Sequence, residues 1–186
     1  MRIGIIVGST RPARKGLEVA QWVYALASQR KSAEYELIDL KDQGLPLLDE
    51  PVPPSMTKTP TQEHTKRWAS KIAGFDGFVL VTPEYNHGPP AALKNALDFL
   101  YDEWRNKSVG FVGYGGVGAA RSIEMLRAIC ANLELADVRV AVSLMLAHDF
   151  ENFSKFKPLP HQEKTLAQML DQVEAWAGAL QPLRKQ

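Results

Sequence analysis

The amino-acid sequence predicts an α/β fold, a three-layer sandwich with a five-stranded parallel sheet between two layers of helices. Two observations carry this prediction. Short β-branched or aliphatic runs alternate with longer segments of helical spacing along the chain, the pattern of parallel strands joined by crossover helices. Two polar turns that carry glycine and proline, Gly8 to Gly16 and Val81 to Pro90, each follow an apolar run and open an amphipathic segment. Such a fold presents its ligand-binding loops in that way, at the carboxyl ends of the strands. With 186 residues, 45% of them hydrophobic and 23% charged, the chain is expected to form one domain over its whole length.

The elements follow in order. Ile3 to Val7 is almost continuously apolar, as a strand covered on both faces must be. A helix is expected over about 14–30, with Val19, Val23 and Leu26 on one stripe. Residues 36–40 read as a second, more exposed strand, and 45–60, with five prolines, as an ordered irregular surface loop. A helix over about 61–73 leads to the strand 77–82, the plainest of the set. After the next turn Pro89 or Pro90 suits a first helical turn, where no amide donor is needed. The helix that follows, 91–104, places Leu93, Ala96, Leu97, Leu100 and Tyr101 on one face. Strand 109–114, helix 119–135, strand 138–144 and a last helix over 161–180 complete the alternation. Right-handed crossovers put helices on both faces, and the order expected for the sheet is 2-1-3-4-5, whose switch point lies between strands 1 and 3.

Composition narrows the partners. Basic and acidic side chains number 22 and 21, net +1, which provides no field to attract nucleic acid or an anionic membrane. The single cysteine, Cys130, forms no internal disulfide and fits a reducing compartment, so the cytoplasm is expected. It lies among apolar residues and reads as a small buried hydrophobe. Ile3 to Val7 is too short to span a membrane, and no targeting segment is read at the start of the chain. His64, His87, His148 and His161 show no ligand spacing, and no metal site is expected.

The first loop suits a phosphate. Ser9 and Thr10 bring hydroxyls, Arg11 a planar fork of donors, and the following helix its unsatisfied amides and partial positive charge. Arg14 and Lys15 add cationic reach, and Gly16, before Leu17, permits close backbone approach. Any one of these residues is equally well explained by a solvated basic turn that caps a helix; the constellation favours phosphate. Neither a P-loop nor a dinucleotide fingerprint is present, so Asp39 after strand 2 reads as an ordinary strand-end carboxylate. The second loop suits a flat polar ring: Pro83 fixes the turn, Asn86 offers an amide with donor and acceptor, and Tyr85 and His87 offer flat surfaces. Glu84 is expected to cap the helix after it as readily as to act on a ligand, and no acid or base work is assigned to it. Gly115 and Gly116 supply backbone amides at a third loop.

These motifs carry a resemblance. Gly8-Ser9-Thr10-Arg11, Pro83-Glu84-Tyr85-Asn86 with Ala92-Leu93-Lys94-Asn95-Ala96-Leu97-Asp98 after it, and Tyr114-Gly115-Gly116 resemble the NADPH-dependent FMN reductase family of flavodoxin-like proteins. The resemblance runs to about Leu146 and implies a flavodoxin-like three-layer sandwich. It further implies bound FMN, reduction by NADPH or NADH, and delivery of electrons to a small-molecule acceptor: quinones, free flavin, azo compounds or metal oxyanions. On that reading Ser9, Arg11 and the turn from Arg14 to Leu17 hold the phosphate, and Pro83 to His87 hold the ring beside Gly115 and Gly116. No side chain is assigned as catalytic, since the hydride is carried by FMN. Many members have Ser and Asn where this chain has Arg14 and Gly16, so those contacts are expected to be ionic and backbone-mediated. The resemblance also implies a homodimer, with a tetramer as the larger alternative, in which the helix after the second loop meets its partner. Trp104 and Arg105 then either reach the partner's cleft or form a core aromatic beside a solvated arginine. Two other functions stay open: an electron carrier that passes single electrons to proteins, and a flavin-responsive interaction protein, for which the proline-rich stretch 46–60 is the hint. No motif maps onto 148–160.

Overall fold

A computed structural model describes residues 1–185. Five parallel strands, β1 (Arg2–Val7), β2 (Glu34–Asp39), β3 (Gly77–Pro83), β4 (Lys107–Gly115) and β5 (Leu135–Met145), form one sheet in the order β2-β1-β3-β4-β5. All seven residues of β3 are buried, as a central strand of a two-sided parallel sheet requires. On one face α1 (Gly16–Ala27) and a long C-terminal helix (His161–Leu180) enclose Ile3, Ile5, Val79, Val142, Met169 and Val173. The other face carries the helices Glu63–Ala73, Ala91–Asp98 and Ala120–Asn132, over Ile6, Phe78, Leu80, Phe111 and Trp104. A four-residue helix, α2 (Leu40–Gln43), follows β2 directly. In chain order the later helices are α3 (Glu63–Ala73), α4 (Ala91–Asp98), α5 (Ala120–Asn132) and α6 (His161–Leu180). The sheet order and the alternation agree with the sequence reading.

The departures are local. The helix expected to run to residue 104 stops at Asp98. Beyond it the chain turns inward: Phe99, Leu100 and Trp104 are buried, and the Trp104 indole donates to the carbonyl of Leu97 at 3.1 Å. Trp104 is thus a core residue and does not reach outward, while Arg105 pairs with Glu134 at 3.0 Å. The apolar side of α4, Leu93, Ala96 and Leu97, is likewise covered by the molecule's own sheet layer. The proline-rich loop is ordered as expected. Asn95 pins it by donating to Pro46 and accepting from Leu48, and Glu50 accepts the backbone amides of Thr61 and Gln62 ahead of α3. Residues 148–160, for which the sequence suggested nothing, fold as a short antiparallel hairpin, β6 (Phe150–Glu151) with β7 (Lys155–Phe156). Phe156 packs edge-on against Trp22 of α1, and the buried Asp149 accepts from the amides of Met145 and Leu159.

Candidate functional site

The loop after β1 leaves the sheet at Gly8, whose amide donates to Val81 of β3 at 2.9 Å. Ser9 is buried, and its hydroxyl lies 2.8 Å from that of Tyr85. Arg11 donates its backbone amide to the Ser9 hydroxyl at 3.4 Å and its Nε to the Tyr85 hydroxyl at 3.3 Å. Its guanidinium makes no ion pair among the described residues, and the half-buried Thr10 stands beside it. The chain then bends through Ala13, at φ 55°, into α1. Lys15, at the N-cap of that helix, gives it no side-chain cap, and the first-turn amides beyond Gly16, which faces the Tyr114 hydroxyl, are open to an external acceptor. Lys15 bonds Glu18 one turn on, at 3.0 Å, and Leu17 packs its side chain into the core beneath α1. Loop one therefore offers a hydroxyl, a cation without a carboxylate partner and an uncapped helix end.

Two residues of this loop have neighbours that the sequence did not suggest. Arg14 is nine-tenths buried, ion-paired through Nη2 with Asp39 at the end of β2, and its Nε has no partner. Gly16 lies under the side chain of Tyr114 from β4: a β-carbon at residue 16 would stand 2.6 Å from the phenol oxygen. The close approach that requires glycine is thus made by a tyrosine of this chain. That hydroxyl is buried without a hydrogen-bond partner. Burial, and then the nearby Tyr85, push its pKa upward, so it stays protonated. Gly16→Ala is accordingly expected to lower stability by about 1–3 kcal/mol, the range of overpacking in a close-packed interior. Adding Tyr114→Phe, which removes the nearest atom, should restore part of the loss in urea denaturation. A loss untouched by the second change would place the strain elsewhere.

The loop after β3 is a two-residue hairpin turn. Tyr85 and Gly88 exchange backbone hydrogen bonds of 2.9 and 3.0 Å, with Asn86 and His87 at φ 50° and 68° between them. Positive φ at both central positions is the type I′ geometry, which asparagine enters readily and histidine more readily than most. Both side chains are exposed at the tip. Pro83 is the buried last residue of β3. The Tyr85 hydroxyl fastens this loop to Ser9 and Arg11 of the first, while the side chain remains partly exposed.

Glu84 caps a helix, but not the one that follows it. Its carboxylate accepts from the backbone amide of Arg121 at 3.1 Å and from Arg121 Nε at 2.6 Å, so it closes the first turn of α5. Burial works to raise its pKa, and the Arg121 guanidinium and amide outweigh burial, leaving it below the usual carboxylate range. An ionised cap of this kind is a tie between the second and third loops. Gly115 of that third loop lies beside Glu84, and Gly116 stands in open space. Pro83 is in register with Tyr114, so β3 and β4 deliver their loops side by side.

The three loops thus meet at the carboxyl edge of the sheet, at the switch between β1 and β3, where ligands of open α/β sheets bind. A half-open cavity of about 50 Å³ lies elsewhere, under the proline-rich loop between Val52, Pro54, Phe99 and Tyr101, and shares no residue with them. Among the described residues no group of three or more His, Cys, Asp or Glu gathers to hold a metal, and no helix is long and apolar enough to cross a membrane. Asp39 and Arg121 are the residues joined to these loops that sequence reasoning passed over, with only the strand-end position of Asp39 as a signal; Tyr114 was part of the third-loop motif, but its buried hydroxyl was not anticipated.

With this geometry in view, similarity to known proteins is informative. Residues 1–149 match the model of a family described as NADPH-dependent FMN reductase. The chain is 44% identical over 149 residues to an NAD(P)H-dependent FMN reductase of Schizosaccharomyces pombe, covering 80% of this chain and 74% of that one. It is 27% identical over 185 residues to a 2-hydroxy-1,4-benzoquinone reductase of Burkholderia sp., covering 95% and 96% of the two chains. In fold it is similar to the flavoenzyme NAD(P)H:(acceptor) oxidoreductase FerB of Paracoccus denitrificans, with a TM-score of 0.68 at 21% identity and 97% of each chain covered.

Proposed function

Because this chain belongs to the NADPH-dependent FMN reductase family, and so is an FMN-dependent NAD(P)H oxidoreductase, we propose that the cleft between its three loops is the FMN site and that its electrons go to a small diffusible acceptor. The observation that carries the placement is the uncommitted cation of Arg11, set beside the buried Ser9 hydroxyl and the uncapped end of α1. A phosphate monoester of about −1.5 to −2 charge is the group such a set accepts. Ser9, Thr10, Arg11 and Lys15, with the amides of Gly16 and Leu17, hold the phosphate. The backbone of Pro83 to His87 and the amide of Asn86 line the ring, with Gly115 and Gly116 along its other side. Arg14 takes part through Asp39.

FMN, when bound, supplies the acceptance of a hydride and the onward release of electrons. The residues around it bind and orient. Glu84 stays ionised in its pair with Arg121 and moves no proton. The Tyr85 hydroxyl keeps the phosphate and ring loops in one arrangement. Asn86 and His87, exposed on a rigid turn, border the open side where NADPH or NADH and then the acceptor stack. A quinone is the acceptor that the Burkholderia relative supports most directly; free flavins, azo compounds and metal oxyanions are the other classes proposed. A homodimer in the cytoplasm is also proposed. The inward-turned Trp104 and the covered side of α4 lend the dimer no support.

The test is the visible spectrum of the purified protein before and after anaerobic NADPH. A flavin spectrum that bleaches within the mixing time is expected. Flavin that stays oxidised favours an electron carrier, and absence of flavin after reconstitution with FMN overturns the cleft as its site.

A further inference from the structure

We propose that Asp39 is the positioning residue of the phosphate loop, setting through Arg14 how tightly the site distinguishes FMN from a flavin without phosphate. The inference rests on the reading that the loop after β1 takes the phosphate. Asp39 is the last residue of β2 and lies in register with Val7, the last residue of β1, so it flanks the point where the loop leaves the sheet. Its two carboxylate oxygens have separate tasks. Oδ1 accepts from the amide of Lys41 at 2.9 Å and caps α2, while Oδ2 receives Nη2 of Arg14. The side chains of both members of the pair are only 9% exposed.

Three consequences follow from that burial. Arg14 spends its charge on Asp39 and Lys15 is paired with Glu18, so the cation left to a phosphate without a carboxylate partner is that of Arg11. The guanidinium is anchored at one end only: Nη2 is bonded, and Nε is buried without a partner. A donor so enclosed is normally satisfied, which marks this place as one where a bound anion or a small loop adjustment completes the hydrogen bonding. Finally, the anchor lies one residue beyond Ala13, whose φ of 55° a β-carbon disfavours. The buried pair holds the chain in that bend and so holds Ser9, Arg11 and the start of α1 in a common arrangement.

Apoprotein titrated with FMN and with riboflavin, which lacks the phosphate, tests this without reference to turnover. Asp39→Asn is suited to the purpose, because asparagine caps α2 as well as aspartate does while the charge on Arg14 loses its partner. We expect FMN affinity to fall about tenfold, the scale of one charge-assisted hydrogen bond, with riboflavin affinity unchanged. Arg14→Gln should give the same loss, the double variant little more than either alone, and Asp39→Glu a partial recovery. If Asp39→Asn does not fold, Arg14→Gln reads the same ratio from the other side. An FMN-to-riboflavin ratio that stays at or rises above the wild-type value overturns the proposal, as does an equal loss for both ligands, which would make the pair a general support. Arg11→Ala separates this from the parent reading. If it leaves the ratio intact, the phosphate loop itself is misplaced; if it collapses the ratio while Asp39→Asn does not, only the role of Asp39 fails.

Discussion

Arg11→Ala is expected to weaken FMN binding about 10- to 100-fold and to leave riboflavin binding close to that of the wild type. The magnitude is that of a hydrogen bond to a charged group, about 1.5–3 kcal/mol, at about 1.4 kcal/mol per tenfold. The residue is singled out by what it does not do. Arg14 is paired with Asp39 and Lys15 with Glu18, whereas the Arg11 side chain touches only a neutral phenol oxygen, at 3.3 Å. A guanidinium on an exposed loop, next to a buried hydroxyl and an uncapped helix end, has its planar fork free for a phosphate. Its removal should cost little stability, because no ion pair is lost, and a thermal melt of the apoprotein provides that control. Fluorescence titration of apoprotein with FMN is the measurement. Wild-type affinity in the variant would remove the first loop from the cofactor site.

Trp104→Ala is expected to cost about 3–5 kcal/mol of stability, the range for deleting a large aromatic from a core. The side chain is fully buried, donates to Leu97, and meets Phe78 edge-to-face at 5.0 Å and Trp68 at 6.2 Å. Trp68 in turn donates to Ala96 at 2.9 Å, so the two indoles lock the end of α4 against α3 and the sheet. Truncation opens a cavity and leaves the Leu97 carbonyl without this donor. Urea denaturation measures the loss, and analytical ultracentrifugation at matched concentration should show an unchanged oligomeric state. A stability loss below about 1 kcal/mol, together with dissociation of an oligomer, would return Trp104 to an interface.

Much of this protein was legible along the chain because the signals concerned are local. A parallel strand covered on both faces must be apolar throughout, a crossover helix must carry a stripe, and a turn that binds ligands must interrupt them with Gly, Pro and polar side chains. Those constraints act within a dozen residues. They gave the five strands, the C-terminal helix 161–180 and the three loops, while the strand order was taken from the flavodoxin-like fold. The loops also carry the family motifs, so the cofactor class was readable too. Where the local signal was ambiguous, the reading stretched. Leu100, Tyr101 and Trp104 continue an apolar pattern, yet the helix ends at Asp98 because the core takes the later aromatics individually.

What the tertiary structure alone decided is which polar group meets which. Arg14 and Asp39 lie 25 residues apart, Glu84 and Arg121 37, Ser9 and Tyr85 76, and each pair forms only because the crossovers bring those strand ends to one edge. No periodicity encodes such a match. A carboxylate between proline and tyrosine reads the same whether it caps the next helix or one further along, and the helix end nearest in space settles it. The glycine at 16 likewise reads as room for a ligand until β4 brings the Tyr114 hydroxyl over it. The sequence by itself determined the layers and the three loops, through the burial of apolar side chains at fixed spacing, and its likeness to flavodoxin-like proteins supplied the strand order. The structure determined the partners within the site, since long-range hydrogen bonds and ion pairs depend on how the elements lie against one another in space.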